Sequence, residues 1–482
     1  MSRTTVADVV VDGLRRAGAP RIFGVPGPGA PLPLLDAARA AGLPVVLAYD
    51  ESAACVMAAV TADLCGAPGV ASVGASAGVV AAAAGVAHAV LDRSPLVLLT
   101  GRHPRGVLGC KATVVVEAAS AAARTAHAVR VALAAPCGPV HLEVPEPVVG
   151  RDAERPATPY APEVPPRPAP GALEEAARLL ARAARPLLVL GQHCRAAADA
   201  SWLRAFAEAL PAPALVTAKA KGALPDPHPL VLGVVTGEAS DDRALGRADL
   251  LVALGLDAAE PVPRAWWSRL PVLAIGPAPA SDGPPAFCEV TGGVGAVLEE
   301  LAPRLADRPR ADWDVAELDR LKREWPAPAT AAPAGLAPQR VVELAREAME
   351  PDTLAAVDAG AHWDAVTGFW QAVAPGEFLA PNGATRAFAL PATLAAHLAR
   401  PARRVVGFTD AAGLLAAAAE LETAKRLAAP IVLVVFGGAD AVRLAQSFGV
   451  AAYAADSEPA VAQGLGRARQ VRGPAVLSVF AT

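Results

Sequence analysis

The chain has 482 residues, of which 54% are hydrophobic and 19% are charged, and its formal net charge is −4. This length predicts about three domains of roughly 150 residues each. The apolar composition excludes a disordered chain, and the negative net charge excludes a broadly basic nucleic-acid-binding protein. The six cysteines include no CxxC pair, which favours reduced thiols in a cytoplasmic protein.

The first predicted element is an amphipathic helix in MSRTTVADVVVDGLRRAG, capped by Thr4 or Thr5, and not a signal peptide. Residues 65–91 carry no charged side chain and are numerous enough to span a bilayer. They are rich in alanine, glycine and serine, and Pro68 and His88 lie among them. We therefore predict a buried strand, a glycine loop and a buried helix there, and no membrane span.

Each third of the chain alternates short apolar runs with alanine-rich stretches. The runs RIFGV, PVVLAY, GVASVG and SPLVLLTG predict strands in the first third. They are followed by RPLLVLG, APALVTA, ADLLVALG and LPVLAIG in the second third, and by TLAAVDAG, RRVVGFTD, APIVLVVFGG and VLSVF in the last. Apolar strands that alternate with helices predict parallel sheets covered on both faces. The predicted fold class is therefore α/β, with three consecutive domains.

Two proline-rich stretches separate these thirds, at residues 155–171 and 325–338. Neither is expected to hold regular structure, because proline fixes φ and lacks an amide donor. The predicted domains are therefore residues 1–154, 172–324 and 339–482. In open parallel sheets ligands lie beyond the carboxyl ends of the strands, so the functional residues are expected in the loops that follow them.

Glu51 ends the run PVVLAYDE, just before the helical sequence SAACVMAAV. Its carboxylate either caps that helix or faces a ligand as an acid, base or hydrogen-bonding group. Glycine-rich turns after RIFGV and GVASV have the composition of anion-binding loops, but neither matches a GxGxxG or Walker sequence. No HExxH or GxSxG sequence is present. Spacing alone therefore predicts a cleft and no particular reaction.

Taken in order, the segments of this chain resemble the thiamine diphosphate (ThDP) enzymes of the acetolactate synthase group. The matching segments are IFGVPGPGAPLPLLDA, YDESAA, GVAHAVLDRSPLVLLTG, GPVHLEVPEPV, RPLLVLGQ, TAKAKGALPDPHPLVLG, ADLLVALG, VDAGAHWDAV, FALPATLAAHLA and ELETAKRLAAPIVLVV. The resemblance implies a pyrimidine-binding-like first domain, a central domain that binds FAD in some members, and a diphosphate-binding-like last domain. It also implies a homodimer or homotetramer with its site at the chain interface.

The resemblance gives a role to a few residues. Glu51 matches the glutamate that hydrogen-bonds the aminopyrimidine ring of ThDP, and it is the expected catalytic residue. Gly78 matches the substrate loop, and His362 matches a position near the cofactor diphosphate. Arg386 stands where the family has a bulky apolar residue that keeps ThDP bent. Its guanidinium either pairs with a nearby carboxylate or binds an anionic ligand through a bidentate fork.

The metal ligands of the family are not retained. Relatives bind Mg²⁺ through the aspartate of a GDG sequence and a downstream asparagine. Counting back from Glu420 places Ala411 at the aspartate, and Asp410, one residue earlier, replaces it only if the turn shifts. The asparagine pair becomes Gly437 and Gly438. Alanine and glycine side chains cannot ligate a metal, so we expect no ordinary Mg²⁺–ThDP site.

Three functions remain open at this point. The first is an enzyme that kept the fold, lost Mg²⁺–ThDP and acts on a small anionic (carboxylate) substrate, in specialised metabolism for example. The second is a genuine ThDP-dependent decarboxylase or carboligase that acts on a 2-oxo acid with an unusual metal site. The third is a non-catalytic partner or regulatory subunit.

Overall fold

The computed structural model describes residues 4–27, 30–102, 109–154, 167–237, 239–278, 286–305, 311–325, 336–383 and 385–480. Most of the two predicted linkers lies outside these residues, and the domain boundaries therefore stay predictions. The chain divides into two compact units. Unit 1 contains residues 1–163, 356–360 and 383–480, and unit 2 contains residues 164–355, 361–382 and 481–482.

The first third forms a six-stranded sheet in the order β2-β1-β3-β4-β6-β5. Its strands are β1 (Ile22–Gly24), β2 (Val45–Leu47), β3 (Gly69–Ser72), β4 (Leu96–Thr100), β5 (Ala112–Val115) and β6 (Val140–Glu143). Its helices are α1 (Val6–Arg16), α2 (Pro31–Ala40), α3 (Glu51–Cys65), α4 (Ala77–Ala81), α5 (Ala83–Leu91), α6 (Ala121–Leu133) and α7 (Glu146–Val149). All its strand pairs are parallel.

The second third forms a sheet in the order β12-β11-β10-β7-β8-β9. Its strands are β7 (Pro186–Leu190), β8 (Ala214–Val216), β9 (Val231–Val234), β10 (Leu250–Leu254), β11 (Val272–Gly276) and β12 (Cys288–Thr291). Its helices are α8 (Pro170–Arg182), α9 (Ala200–Ala209), α10 (Ala239–Leu245), α11 (Val294–Leu301) and α12 (Val315–Arg323). Alternate residues of β7 belong to two different cores, which shows that helices cover this sheet on both faces.

The last third forms a sheet in the order β14-β13-β15-β16-β18-β17. Its strands are β13 (Leu354–Val357), β14 (Phe378–Leu379), β15 (Val405–Asp410), β16 (Ile431–Phe436), β17 (Ala451–Ala455) and β18 (Ala475–Val479). Its helices are α13 (Pro338–Ala348), α14 (Trp363–Phe369), α15 (Ala389–Ala399), α16 (Ala411–Ala416), α17 (Glu420–Arg426), α18 (Ala439–Ser447) and α19 (Glu458–Gln470). The predicted α/β class with three parallel sheets is confirmed.

Local predictions hold in most places. Thr5 caps α1 in a reciprocal pair with Asp8, whose Oδ2 accepts the Thr5 amide at 2.8 Å. The uncharged residues 65–91 contain β3, α4 and α5, and no helix among the described residues is long and apolar enough to cross a bilayer. The predicted linker 155–171 ends two residues early because Pro170 opens α8, a position that proline favours.

Candidate functional site

The turn between β2 and α3 carries the expected catalytic residue. Asp50 caps the helix, because its Oδ1 accepts the Ala53 amide at 2.8 Å. Glu51 is the first helical residue and is partly exposed, so the N-cap is Asp50 and not Glu51. Glu51 still lies in the first turn of α3, where a negative charge is favoured by the positive end of the helix dipole. The Glu51 carboxylate is therefore available for other contacts.

Gly78, in α4, lies against that carboxylate. A Cβ atom built on Gly78 would lie 3.4 Å from Glu51 Oε1, which is van der Waals contact. The structure thus brings together two of the predicted site residues that are 27 positions apart in the sequence. Their roles toward a cofactor stay predictions.

Glu420 fixes the backbone of the two residues that precede Glu51 in the sequence. Its Oε1 accepts the amides of Tyr49 at 2.9 Å and Asp50 at 3.0 Å. The side chain is fully buried, and Oε2 makes no hydrogen bond within the described residues. Burial raises the pKa of Glu420, while the Thr423 hydroxyl and the two amides act in the opposite direction. Sequence reasoning missed this role because 371 residues separate Glu420 from Tyr49.

Arg386 lines a small open pocket of ≈ 70 Å³ at the start of α3. Polar groups of the pocket come from Asp50, Ser52, Thr385, Arg386 and Glu420. The Arg386 side chain is exposed and makes no ion pair with any described residue, so the pairing with a nearby carboxylate that its sequence position suggested is not made here. An unpaired guanidinium in a concave site can bind a carboxylate or phosphate through two parallel hydrogen bonds.

The two positions that the resemblance assigns to metal ligands lie next to each other. Ala411 begins α16 after β15, and Gly438 follows β16 with φ +100°. A Cβ atom built on Gly438 would lie 3.7 Å from Ala411 Cβ. Neither residue has an oxygen in its side chain. Within the described part of the chain, no three His, Cys, Asp or Glu side chains form a group able to hold a metal ion.

Asp410 lies one residue before Ala411 and caps α16, since its Oδ1 accepts the Gly413 amide at 2.7 Å. Behind it, the buried Asp358 accepts the Thr409 hydroxyl and the Ala389 amide, each at 2.5 Å. Burial raises the pKa of Asp358 to about 6. Asp358 and Asp410, at the carboxyl ends of β13 and β15, thus accept hydrogen bonds from backbone amides.

His362 belongs to unit 2, where it is buried and directly precedes α14. The other predicted site residues, Glu51, Gly78, Arg386 and Asp410, all belong to unit 1. The structure therefore brings Glu51 close to Gly78. It places Arg386 in one pocket with Asp50 and Ser52, the residues on either side of Glu51 in the sequence. His362 is described as part of unit 2.

Family models of the thiamine pyrophosphate enzymes match all three thirds. The N-terminal TPP-binding domain matches residues 4–120, the central domain matches residues 173–301, and the C-terminal TPP-binding domain matches residues 358–438.

Curated relatives match over most of their length. The chain is 28% identical to acetolactate synthase isozyme 1 large subunit of Escherichia coli, over 88% of this chain and 79% of that protein. It is 30% identical to a protein of Pseudomonas aeruginosa named probable 2-ketoarginine decarboxylase, over 90% of this chain and 82% of that protein.

A solved structure shows the same fold. The thiamine diphosphate-dependent 4-hydroxybenzoylformate decarboxylase of Rhodococcus jostii superposes with a TM-score of 0.83 at 22% identity, over 99% of each chain. At this identity the likeness concerns the fold alone. The relatives and the three domain models confirm the resemblance seen in the sequence: the chain belongs to the thiamine pyrophosphate enzyme family and is related to its acetolactate synthases and decarboxylases.

Proposed function

We propose that this chain is an enzyme that acts on a small carboxylate substrate without the Mg²⁺–ThDP of its family. The observation that carries the proposal is the pair formed by Ala411 and Gly438, which are adjacent and carry no ligating oxygen. A diphosphate brings two to three negative charges, and Mg²⁺ bound by oxygen ligands neutralises them in phosphate sites. Burying such charges without a metal is costly, and one arginine offsets only part of that cost.

In this proposal Arg386 binds the substrate carboxylate in the pocket at the start of α3. Among the described residues that line the pocket Arg386 is the one cation, and the other polar groups are the carboxylates of Asp50 and Glu420 and the hydroxyls of Ser52 and Thr385. Glu51 stands between two pocket residues in sequence and exchanges a proton with the substrate as general acid or base. Gly78 leaves room beside the Glu51 carboxylate. Each of these steps uses protein side chains and no cofactor.

We also propose a cytoplasmic homodimer or homotetramer. The relatives supply the expectation of an oligomer whose site is built between chains. The six cysteines, all within the described residues, form no disulfide, which suits a reducing compartment. A monomer in light scattering would contradict the oligomer.

The second candidate is a ThDP-dependent decarboxylase or carboligase on a 2-oxo acid. The contact between Glu51 and Gly78 favours it, because the family uses both positions and this chain keeps them side by side. Asp410 is the carboxylate nearest in sequence to Ala411, and it would have to serve as the metal ligand while it caps α16.

Calorimetric titration with ThDP, with and without Mg²⁺, separates the two candidates. We expect no saturable heat up to about 1 mM ThDP, which corresponds to a binding free energy weaker than about −4 kcal/mol. Micromolar affinity that depends on Mg²⁺ would establish the second candidate and refute the first. The Ala411→Asp variant supplies a ligand at the vacant position and is expected to gain Mg²⁺-dependent affinity. Ala123→Asp, which adds the same charge on exposed α6, is the matched control and should gain none.

The substrate site is tested with pyruvate as the probe. Arg386→Ala is expected to weaken pyruvate binding by roughly 10- to 100-fold, the value of a charge-assisted hydrogen-bonded pair. Arg386→Lys keeps the charge but loses the planar fork, and it should recover part of the affinity. Arg39→Ala, an exposed arginine of α2 that pairs with Asp36, is the control and should bind as wild type does. Equal pyruvate affinity in wild type and Arg386→Ala would remove Arg386 from the site.

A further inference from the structure

The central sheet reverses its strand order between β7 and β10. In open parallel sheets the ligand crevice lies at this reversal, beyond the carboxyl ends of the two strands. Two loops border it here, residues 191–194 after β7 and residues 255–260 after β10. Some acetolactate synthase relatives carry FAD in this domain, so a dinucleotide in this chain would have to lie between these two loops.

The two loops are bonded to each other. The Gly191 amide donates to Leu254 O at 2.8 Å, and the His193 amide donates to Gly255 O at 3.0 Å. A Cβ atom built on Gly255 would lie 3.0 Å from Cys194 N and from His193 Cβ. A side chain at residue 255 would therefore crowd the first loop, and the two loops close the reversal point against each other.

The Glu260 carboxylate accepts further hydrogen bonds from these loops. Glu260 Oε1 accepts the Gln192 amide at 2.9 Å and the Thr217 hydroxyl at 2.5 Å, and its Oε2 accepts the Asp257 amide at 2.9 Å. Glu260 is buried, with 6% of its surface exposed. It thus ties together the loops that follow β7, β8 and β10. Backbone amides at such strand ends are the groups that bind a dinucleotide pyrophosphate.

The carboxylate also occupies the space next to the first loop. A Cβ atom built on Gly191 would lie 2.4 Å from Glu260 Oε2. A glycine at this point lets an anion approach the backbone closely, and here the anion is Glu260 itself. At the rim, His193 Nε2 lies 3.1 Å from Asp257 Oδ2, so a second carboxylate follows the first. A phosphate entering the crevice would meet two carboxylates.

We infer that the Glu260 carboxyl group occupies the pyrophosphate position of the central domain and closes this domain to FAD and other dinucleotides. The central domain then serves the fold and assembly of the protein without a cofactor of its own. This inference is independent of the proposed function, since it concerns residues of unit 2 only.

The first test is a titration of the purified full-length chain with FAD, followed by flavin fluorescence and by equilibrium dialysis. We expect no saturable binding up to about 1 mM FAD. Stoichiometric FAD in the purified protein, or a dissociation constant in the micromolar range, would overturn the inference. ADP serves as a second probe with the same pyrophosphate and is expected to behave as FAD does.

The second test follows amide hydrogen exchange in the loops. Glu260→Ala leaves the Gln192 and Asp257 amides without an acceptor, and their exchange should become faster by about tenfold or more. Glu260→Gln keeps the side-chain volume but turns an NH₂ group toward one of the two loops, so only part of the protection of these two amides from exchange should be lost. If the alanine variant does not fold, the glutamine variant still provides the test.

Glu299→Gln, which changes an exposed glutamate of α11, is the matched control and should leave both amides unchanged. Unchanged exchange at Gln192 and Asp257 in both Glu260 variants would show that the carboxylate does not hold the loops, and the inference would fail.

Discussion

Two buried carboxylates hold the strand ends of two sheets, and they do so by the same means. Glu260 in the central sheet accepts Thr217 and two amides, and Asp358 in the C-terminal sheet accepts Thr409 and one amide. Burial raises the pKa of both groups, to about 7 and about 6. Each carboxyl group thus supplies a hydrogen-bond acceptor to backbone donors that would otherwise be left unpaired.

The two sheets differ in what surrounds the carboxylate. Around Glu260 the neighbouring loops bond to each other and the crevice is filled. Around Asp358 the next strand ends, those of β15 and β16, carry Ala411 and Gly438, which have no side-chain oxygen. We propose that the first site is filled by a side chain, whereas the second has lost its ligating side chains. In this proposal a family fold loses a ligand site in two opposite ways while its sheets stay intact.

The largest effect is expected when the Glu260 carboxylate of the central sheet is removed. Glu260→Ala leaves two amides and a hydroxyl unpaired in a buried place and should lower the free energy of unfolding by about 3 kcal/mol. Urea unfolding followed by tryptophan fluorescence measures it, because five of the seven tryptophans lie between residues 202 and 325. Glu299→Ala on exposed α11 is the control and should change stability by less than about 0.5 kcal/mol.

Asp358→Ala is the counterpart in the C-terminal sheet. It removes the acceptor of the Thr409 hydroxyl and of the Ala389 amide, together with the weaker contact of the Phe388 amide, and we expect a loss of about 2 kcal/mol, measured by urea unfolding followed by circular dichroism. A larger loss for Asp358→Ala than for Glu260→Ala would show that the three hydrogen bonds of Glu260 do not make it the more important of the two carboxylates.

The next effect is the pH dependence of stability. A carboxyl group whose pKa is higher in the folded state than in the unfolded state stabilises the fold least when it is ionised. Its contribution is fully present below the unfolded pKa and is lost as the pH rises through the folded pKa. For Glu260 this window runs from 4.5 to about 7. Relative to Glu260→Gln, wild type should therefore lose on the order of 2 kcal/mol of unfolding free energy between pH 5 and pH 8.

Parallel urea titrations of wild type and Glu260→Gln at the two pH values measure this difference. Glu299→Gln should follow the wild-type pH dependence. A constant difference between wild type and Glu260→Gln across the window would mean that Glu260 titrates alike in both states.

The smallest expected effect concerns Asp410. Asp410→Ala removes the cap of α16 and should cost about 1 kcal/mol, as should Asp50→Ala at the start of α3. Asp410→Asn keeps a good capping side chain, so its urea midpoint should match wild type. If Asp410 were a metal ligand, Asp410→Asn would abolish any Mg²⁺-dependent stabilisation by ThDP. We expect the response of this variant to Mg²⁺ and ThDP to equal that of wild type.

The apolar runs of the sequence predicted every interior strand except β6, and they missed five of the six edge strands. The strands β5, β9, β12, β14 and β17 were not predicted, and each lies at the edge of its sheet. An interior parallel strand is buried on both faces and reads as a continuous apolar run. An edge strand pairs on one side only and needs no such run, as the mostly exposed β5 shows. Hydrophobic pattern therefore locates the centre of such sheets better than their borders.

For the candidate site, the sequence alone identified Glu51, Gly78, Arg386 and the vacant Ala411, because each belongs to a short local segment that resembles the family. Only the tertiary structure assigned roles to Glu420 and Glu260. Their backbone partners lie as far as 371 and 68 residues away, and nothing in their local sequence shows which amides they accept. Burial and hydrogen-bond partners are set when distant loops meet at the ends of the strands. The sequence therefore determined the fold class and the family resemblance, whereas the tertiary structure decided which carboxylates accept the backbone amides at the strand ends.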